Sequence, residues 1–336
     1  MDTLILAIES SCDETACSIV KNGREVLSNV ISSQIEIHQR FGGVVPEIAS
    51  RNHTMAINSV VDLALKNANV KLDDITAIAV TYGAGLVGSL LVGVSYAKAL
   101  SYATKKPLIA VSHIKGHIAA NYIEHEDLQP PYLCLVVSGG HTALIKVTDY
   151  IHHEKLGQSY DDAVGEAFDK VARVLGLPYP GGPNIERLAK EGNENAYAMP
   201  KMLKNEESYN FSYSGLKTHV VNLVHNYQQK NEKYSIEDIC ASFQKAAIDP
   251  LVEKTIKAAK EFKMDTITIA GGVAANGYLK DKLTKAAKKE GIKVLSPSLV
   301  LCTDNAAMIG SAGYYNYINN YSMADLDLNA TATIEL

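Results

Sequence analysis

The cysteines of this chain have no spacing that predicts disulfide bonds or a zinc site. All five are scattered single residues without a CxxC pair, at positions 12, 17, 134, 240 and 302. Disulfide scaffolds and thiolate zinc sites need paired or closely spaced cysteines, whereas isolated thiols are typical of buried positions in a reducing compartment. The pattern therefore argues against a disulfide scaffold and against a cysteine-bound zinc ion.

The N-terminal stretch and the charge argue against two further classes of protein. MDTLILAIESS has no basic region, and its apolar run is only as long as one strand before Glu9 ends it. This fits neither a signal peptide nor a membrane span, so we expect a cytoplasmic protein without a membrane partner. The net charge of −5 is not the basic field of a protein that binds nucleic acid unaided. An RNA partner would need a local basic patch or a helper subunit.

Three catalytic motifs are absent. Two glycine pairs follow apolar runs, Gly139-Gly140 and Gly271-Gly272, but neither is followed by GKS or GKT and neither has GxGxxG spacing. A P-loop and a Rossmann fingerprint are therefore excluded. The zincin protease motif HExxH is also missing, because Ile114 stands where that mechanism needs a glutamate.

The sequence does contain a repeated strand pattern. With 336 residues and 47% hydrophobic content, the chain can fill two cores. Residues 4–30 read as strand, small polar turn, strand and a third strand after Asn22-Gly23, which is a strong hairpin signal. The pattern returns about 127 residues later, over residues 133–159, as expected of a duplicated unit. We therefore predict two similar lobes.

Helical and strand patterns alternate along the chain, which predicts an α/β layer structure. Thr303 or Asp304 is expected to cap the last helix. Apolar residues at helical spacing occupy 51–68, 89–106, 161–176, 235–262, 277–291 and 304–318, and buried strands are expected within 74–85, 107–113 and 266–272.

The stretch VSHIKGHI places two histidines four residues apart. If Ser112 caps a helix, His113 and His117 lie one turn apart on one face, where two imidazoles can hold one ion. The same spacing arises by chance, and the alternative is one partly buried and one exposed histidine. Two imidazoles leave a site short of ligands, so a third is required, most plausibly a carboxylate from elsewhere in the chain.

The two glycine pairs can present backbone N–H groups to a phosphate. Each pair ends an apolar run, and glycine lets a ligand approach the backbone closely. Asn276 and a predicted helix start follow the second pair, which adds a further site for an anion. Either pair alone could be an ordinary turn, but the two together favour a nucleotide site.

Two acidic groups have a structural and a functional interpretation. Asp162, Glu166 and Asp169 are spaced by four and three residues, which predicts one stripe of a helix. That stripe either faces a ligand beside the loop PGGPN or is a solvated surface. Glu9, Asp13 and Glu14 could orient a substrate or act as a base, or could lie exposed at a hairpin tip.

Eight stretches together resemble the universal tRNA threonylcarbamoyladenosine transferase family, most closely its free-standing bacterial form. They occur in order across nearly the whole chain: IESSCDETA, GGVVPEIASRNH, SHIKGHI, VVSGGHT, DDAVGEAFDKVARVLGLPYPGGPNIERLA, NFSYSGLKT, IAGGVAANGYL and CTDNAAMIG. The resemblance implies an α/β fold of two RNase-H-like lobes, of the actin/Hsp70/sugar-kinase type, around a central nucleotide cleft. We expect an N-terminal lobe at 1–128, a C-terminal lobe at 129–303, and a C-terminal helix at 304–336 that packs back on the first lobe.

The resemblance also implies an activity and its site residues. The family transfers the threonylcarbamoyl group from threonylcarbamoyl-AMP to N6 of adenosine 37, in tRNAs that read codons beginning with A. Its metal ligands correspond to His113, His117 and Asp304, with Fe²⁺ expected and Zn²⁺ as the second choice, and the reaction is a metal-assisted acyl transfer in the interlobe cleft. Its adenylate contacts correspond to Val136, Val137, Ser138, Gly139, Gly140, Asp169, Gly182, Glu186 and Asn276.

Partners and rival functions complete the expectation. The family implies tRNA, threonylcarbamoyl-AMP, a paralogous actin-like subunit and a small ATPase subunit as partners. The resemblance gives no general base, for which Glu9 and Asp13 are the candidates. The rivals are a small-molecule kinase and an Hsp70-like binding module of the same fold class. Two histidines with Asp304 argue against a kinase, because kinases hold Mg²⁺ mostly with oxygen ligands and water.

Overall fold

The computed structural model describes residues 2–203 and 206–334 of the chain. The chain forms two compact units. Unit 1 runs to Pro130 and includes Val147–His153 and the segment from Ser296 onward, and unit 2 comprises Pro131–Lys146 and Glu154–Leu295. The boundaries expected from the sequence were 128/129 and 303/304. Of the predicted segment 304–336, residues 335 and 336 lie outside the described residues.

Strands and helices alternate through both units, as the sequence pattern predicts. The strands are β1 (Leu4–Glu9), β2 (Glu14–Lys21), β3 (Glu25–Ser33), β4 (Ala77–Gly83), β5 (Leu108–Ser112), β6 (Tyr132–Val137), β7 (Thr142–Val147), β8 (His153–Gln158), β9 (Thr266–Ala270), β10 (Lys293–Leu295) and β11 (Met323–Ala324). The α-helices are α1 (Ile35–Gln39), α2 (Pro46–Ala68), α3 (Val87–Thr104), α4 (His113–Glu124), α5 (Val164–Val174), α6 (Gly181–Ala189), α7 (Ser214–Gln229), α8 (Ile236–Glu261), α9 (Gly277–Lys289), α10 (Leu299–Cys302) and α11 (Ala306–Ile318).

The two sheets share one strand order, which confirms the predicted repeat. Unit 1 has the order β11-β5-β4-β1-β2-β3, and unit 2 has the order β10-β9-β6-β7-β8. Apart from β11, each sheet therefore runs fifth, fourth, first, second, third. The hairpin predicted at Asn22-Gly23 is also confirmed, because β2 and β3 pair antiparallel from Lys21↔Glu25 onward and both turn residues have positive φ.

Parallel strands position the functional residues of each unit. In unit 1, β1 pairs parallel with β4, and β4 pairs parallel with β5. In unit 2, β6 pairs parallel with β9, with Val136 opposite Ala270. Carboxyl ends of parallel strands meet at one edge of a sheet, where ligands of open α/β sheets bind. Glu9, Thr81 and His113 lie at this edge in unit 1, and Ser138 and Gly271 lie at it in unit 2.

Glycines let helix α11 lie directly on the sheet of unit 1. A Cβ atom on Gly310 would come 2.5 Å from a methyl carbon of Val20, and one on Gly313 would come 2.6 Å from Cβ of Ala79. Helix α11 ends at Ile318, and β11 then pairs antiparallel with β5, so the helical part of the predicted segment is only 306–318. This close packing fixes the start of α11, and with it Asp304.

Within residues 2–203 and 206–334, no helix is long and apolar enough to cross a membrane.

Candidate metal site and nucleotide loops

The two histidines of α4 share one face, as the spacing predicts. The buried strand β5 leads into α4, with Ser112 at the N-cap position, although its side chain makes no capping hydrogen bond. The ring centroids of His113 and His117 are 4.6 Å apart. Both residues are buried, with 7% and 1% exposure, so the alternative of one exposed histidine is wrong.

Asp304 supplies the carboxylate that two histidines lack. Its Oδ1 lies 3.5 Å from Nε2 of His113 and 3.3 Å from Nε2 of His117. The prediction that Thr303 or Asp304 caps the last helix is wrong, because Asn305 stands directly before Ala306 in extended conformation and its side chain accepts the Met308 N–H. Asp304 therefore precedes the cap, and its carboxylate faces the imidazoles.

These three residues have the chemistry of a metal site. One ligand atom from each lies within 4.8 Å of the others. Both ring nitrogens of His117 are buried without a hydrogen-bond partner among the described residues, as expected for a nitrogen that binds an ion. Two imidazoles and one carboxylate suit Fe²⁺ or Zn²⁺ and leave coordination positions open for substrate. The donor set therefore fits the divalent ion that the sequence predicts.

The electrostatics of the cluster favour a positive charge within it. Burial lowers the pKa of His113, but the negative charges of Asp304 and Glu9 outweigh burial and raise it to about 9. Burial, and then the neighbouring charge of His113, lower the pKa of His117. One imidazole thus attracts a proton and the other stays neutral. A divalent cation can satisfy the same carboxylates in place of that proton.

The two acidic candidates of the first turn lie in different surroundings. Glu9 is fully buried, with its Oε2 3.2 Å from Nδ1 of His113. Asp13 is 6% exposed, and its Oδ2 has no hydrogen-bond partner among the described residues. Burial, and then the charges of Asp13 and Asp304, raise the pKa of Glu14 to about 10. Neither candidate lies exposed at a hairpin tip, so that alternative is wrong.

In unit 2, the first glycine pair forms an open turn. Val136 and Val137 end the buried strand β6, and Ser138 begins the turn to β7. A Cβ atom on Gly139 or Gly140 would meet nothing within 4 Å. The backbone of this turn is therefore accessible to a ligand, which is what a phosphate-binding turn requires.

Two other glycines allow the backbone to pack closely against the buried side of this turn. Gly271 has φ +90°, and a Cβ atom there would lie 2.5 Å from the Val137 carbonyl oxygen. A Cβ atom on Gly165, at the start of α5, would lie 2.6 Å from the Ser138 carbonyl oxygen. Gly165 could not be predicted from the sequence, because a single glycine in a helical pattern gives no signal of its own.

The remaining predicted adenylate residues join three helices of unit 2. Asp169 in α5 accepts the Gly181 N–H at 2.7 Å, at the start of α6 and beside Gly182. Glu186 in α6 accepts the Gly277 N–H at 3.0 Å, at the start of α9. The structure thus brings Asp169, Gly182 and Glu186 to neighbouring helix ends.

Both polar atoms of the Asn276 side chain form hydrogen bonds within the protein. Its oxygen caps α9 through the Leu279 N–H at 2.9 Å, and its nitrogen donates to Oε1 of Gln244 at 3.1 Å. Asn276 therefore also has a structural role, and Gln244, which is 4% exposed, belongs to the same cluster. No spacing or motif in the sequence pointed to Gln244.

The predicted acidic stripe is wrong for Asp162. Helix α5 begins at Val164, whose N–H donates to Oγ1 of Thr142, so Asp162 lies before the helix. Asp162 forms ion pairs with Lys170 and Lys217 at 2.8 and 2.6 Å. Glu166 also pairs with Lys170, at 2.7 Å. The structural interpretation therefore holds for these two residues, whereas Asp169 faces Gly181.

Solved structures of similar fold define the class of the protein. Full-length HypF in its phosphate- and nucleotide-bound form matches 95% of this chain with a TM-score of 0.64 at 18% identity, and the match spans 47% of that chain. Component A of the Acidaminococcus fermentans (R)-2-hydroxyglutaryl-CoA dehydratase matches 95% of this chain and 99% of its own, with a TM-score of 0.53 at 15% identity. A ROK family protein of Streptococcus pneumoniae in complex with sucrose also gives 0.53, at 12% identity, over 95% of this chain and 99% of its own. These likenesses show the fold alone, which is the predicted α/β fold of the actin/Hsp70/sugar-kinase type.

Sequence comparison then shows the family. The profile described as TsaD: tRNA N6-adenosine threonylcarbamoyltransferase matches residues 25–311. A tRNA N6-adenosine threonylcarbamoyltransferase of Clostridium perfringens is 57% identical over 99% of this chain and 98% of its own length. One of Clostridioides difficile is 56% identical over 100% and 99%. The chain belongs to this family of tRNA-modifying acyltransferases, which confirms the resemblance seen in its motifs.

Replacing Asp304 by Asn separates metal binding from helix capping. Because Asn305 caps α11, Asp304→Asn should leave thermal unfolding nearly unchanged. Loss of the charged ligand should weaken Zn²⁺ binding by more than the roughly 10–100-fold caused by loss of a ligand's hydrogen-bond partner. Zn²⁺ affinity is measured in competition with a chelator.

The matched control is the neighbouring cap. Asn305→Ala should lower the free energy of unfolding by about 1 kcal/mol and leave the ligand set in place. Zn²⁺ affinity at the wild-type level in Asp304→Asn would contradict the three-ligand site.

Proposed function

We propose that the protein transfers the threonylcarbamoyl group from threonylcarbamoyl-AMP to N6 of adenosine 37, in tRNAs that read codons beginning with A. The meeting of His113, His117 and Asp304 is the observation that carries this proposal. It favours metal-assisted acyl transfer over phosphoryl transfer in the same fold, because Mg²⁺ in kinases takes oxygen ligands. The cytoplasm, as the compartment of tRNA modification, belongs to the same proposal.

The chemistry asks the protein chiefly to align the reactants. N6 of adenosine attacks the carbamoyl carbon, the bond from that carbon to the phosphate oxygen breaks, AMP leaves, and the amine loses a proton. Backbone N–H groups of the Ser138–Gly140 turn would hold the phosphate, and Asp169 and Glu186 would hold the nucleoside. A bound Fe²⁺, or Zn²⁺ as the second choice, would polarise the carbonyl as a Lewis acid.

Asp13 is our candidate for the acceptor of the amine proton. Its Oδ2 is buried and makes no hydrogen bond within the described residues. Glu9 is less suitable, because its Oε1 accepts the Ser11 N–H and its Oε2 faces Thr81 and His113. A base needs a lone pair within reach of the proton that it removes. The structure therefore favours Asp13 over Glu9 for this role.

The charge of the chain is distributed unevenly, which supports tRNA as a partner. Residues 254–293 contain ten lysines and four acidic residues, a net charge of +6, so the rest of the chain carries −11. Glu290 pairs with Lys260, and the exposed Lys285, Lys288 and Lys289 have no carboxylate partner among the described residues. This stretch is the local basic patch that an acidic protein needs to bind RNA.

Neutralising three of these lysines should weaken tRNA binding through its salt dependence. We expect Lys285→Gln, Lys288→Gln and Lys289→Gln together to reduce the slope of log affinity against log salt by about one unit for each lysine–phosphate ion pair that they remove. The control removes equal charge from exposed lysines elsewhere in unit 2, as Lys201→Gln, Lys230→Gln and Lys233→Gln. Equal slopes in the two triple variants would contradict a role for this patch.

Exposed apolar side chains on unit 1 support a protein partner. Helices α2 and α3 together expose Met55, Leu63, Val87, Leu91 and Tyr102, with Met55 at 82%. Contiguous exposed apolar surface marks sites of protein association. We propose that a paralogous actin-like subunit covers this surface, that a small ATPase subunit joins the complex, and that the chain alone transfers poorly.

The reaction is tested by mass analysis of tRNA nucleosides after incubation with the protein and threonylcarbamoyl-AMP, with and without the two partner subunits. We expect threonylcarbamoyladenosine at position 37, mostly in the complete mixture. In calorimetry, Asp169→Ala should weaken binding of the adenylate by about 0.5–1.5 kcal/mol. The matched control is Glu166→Ala on the same helix. Unmodified tRNA in every mixture, with ATP hydrolysis stimulated by a sugar, would instead show a kinase.

A further inference from the structure

Glu9 is a buried carboxylate whose charged neighbour is a histidine and not a lysine or an arginine. It is 0% exposed at the end of β1, and no lysine or arginine of the described chain pairs with it. Removing a carboxylate from water costs several kcal/mol unless hydrogen bonds and charge replace its hydration. A buried carboxylate therefore needs specific partners, and these partners reveal what it does.

Three groups surround the Glu9 carboxylate. Its Oε1 accepts the Ser11 N–H at 2.5 Å, and its Oε2 accepts the Thr81 hydroxyl at 2.6 Å. Its Oε2 also lies 3.2 Å from Nδ1 of His113. Thr81 is fully buried in β4, so the two donors that hold the carboxylate besides His113 come from β4 and from the turn after β1. The hydrogen bonds from Ser11 and Thr81 thus fix the carboxylate independently of the imidazole.

This arrangement determines which nitrogen of His113 carries a proton. Both oxygens of Glu9 act as acceptors, Oε1 for the Ser11 N–H and Oε2 for the Thr81 hydroxyl, as expected of an ionised carboxylate. An ionised carboxylate only accepts hydrogen bonds, so the Nδ1 that faces it must be the donor. This holds for the neutral and for the charged imidazole. The Ser11 hydroxyl, 3.1 Å from Nδ1, does not change that requirement.

The consequence lies on the other side of the ring. With the proton on Nδ1, the lone pair of the neutral imidazole is on Nε2, which is the nitrogen 3.5 Å from Asp304. His117 has no such partner, since its Nδ1 is buried and makes no hydrogen bond within the described residues. Of the two histidines of α4, only His113 is therefore held in one tautomer and one ring orientation.

We propose that Glu9 is the positioning residue of the metal site, which accepts Nδ1–H of His113 and thereby presents Nε2 of that ring to the ion. The inference rests on the proposed metal site at His113, His117 and Asp304. Partners of this kind raise the basicity of a ligating imidazole and fix its direction. Glu9 thus acts through His113 and does not touch the substrate.

The test measures Zn²⁺ affinity and the position of the ring proton, neither of which requires turnover. Glu9→Gln keeps the shape, but its amide must direct N–H groups at Ser11 N–H or at the donors on Oε2. We expect Zn²⁺ affinity to fall by roughly 10–100-fold. Nitrogen-15 spectra of the histidine rings should show Nδ1 of His113 protonated in the wild-type protein, with and without Zn²⁺, and this signal disturbed in the variant.

Two further variants separate positioning from charge and from folding. Glu36→Gln is the control, because it removes an exposed carboxylate of unit 1 that pairs with no metal ligand, and it should bind Zn²⁺ like wild type. Thr81→Val removes one donor to Glu9 while keeping the carboxylate, and it should cause a smaller fall than Glu9→Gln. If Glu9→Gln does not fold, the Zn²⁺ affinity of Thr81→Val and the wild-type spectrum still decide whether Glu9 positions His113.

The outcomes distinguish this inference from the metal site itself. Wild-type affinity in both Glu9→Gln and Thr81→Val, or an unprotonated Nδ1 in the wild-type spectrum, would overturn the positioning role and leave the metal site standing. Equal losses in Glu9→Gln and Glu36→Gln would also overturn it, because they would show a general effect of charge. A wild-type protein that takes up no Zn²⁺ would contradict the metal site and this inference together.

Discussion

Unit 1 places the buried carboxylate of Glu9 and the half-buried carboxylate of Asp304 beside two buried imidazoles, and the rest of that unit is arranged to make this possible. Charges removed from water must be compensated by each other, by hydrogen bonds or by a metal ion. Parallel strands β1, β4 and β5 bring Glu9, Thr81 and His113 to one edge, and the glycines of α11 bring Asp304 to the same place. A bound cation would compensate the part of the carboxylate charge that the hydrogen bonds leave uncompensated.

Unit 2 has the same strand order but is subject to a different physical constraint. There the constraint is steric, because the backbone after β6 must stay open toward a ligand while other backbone packs behind it. Gly139 and Gly140 leave the front open, and Gly165 and Gly271 permit the close contact behind. The duplicated fold thus carries a cluster of charged ligands in one copy and an accessible backbone turn in the other.

The features that could be predicted from the sequence are those that depend on local pattern or on an ordered set of motifs. The repeat, the Asn22-Gly23 hairpin and the helical spacing of His113 and His117 follow from periodicity and turn chemistry. Helix α11 was predicted, but its cap was not, because Thr303, Asp304 and Asn305 are all competent capping residues and only the backbone conformation selects one. Asp162 was misplaced because the first N–H of α5, that of Val164, donates to Thr142, which is 22 residues away in the sequence. The contacts of Glu9 with Thr81 and His113, and that of Gln244 with Asn276, could not be predicted, since they span 72, 104 and 32 residues and depend on tertiary packing.

X-ray absorption at the metal edge of the Zn²⁺-loaded protein tests the central claim most directly, because it reports the ligand atoms around the ion. Binding by His113, His117 and Asp304 predicts multiple scattering from two imidazoles, with nitrogens at about 2.0–2.1 Å and an oxygen shell at about 2.0–2.2 Å. One imidazole should disappear in His117→Ala. An ion held without imidazole scattering, or one whose spectrum is the same in His117→Ala, would contradict the account.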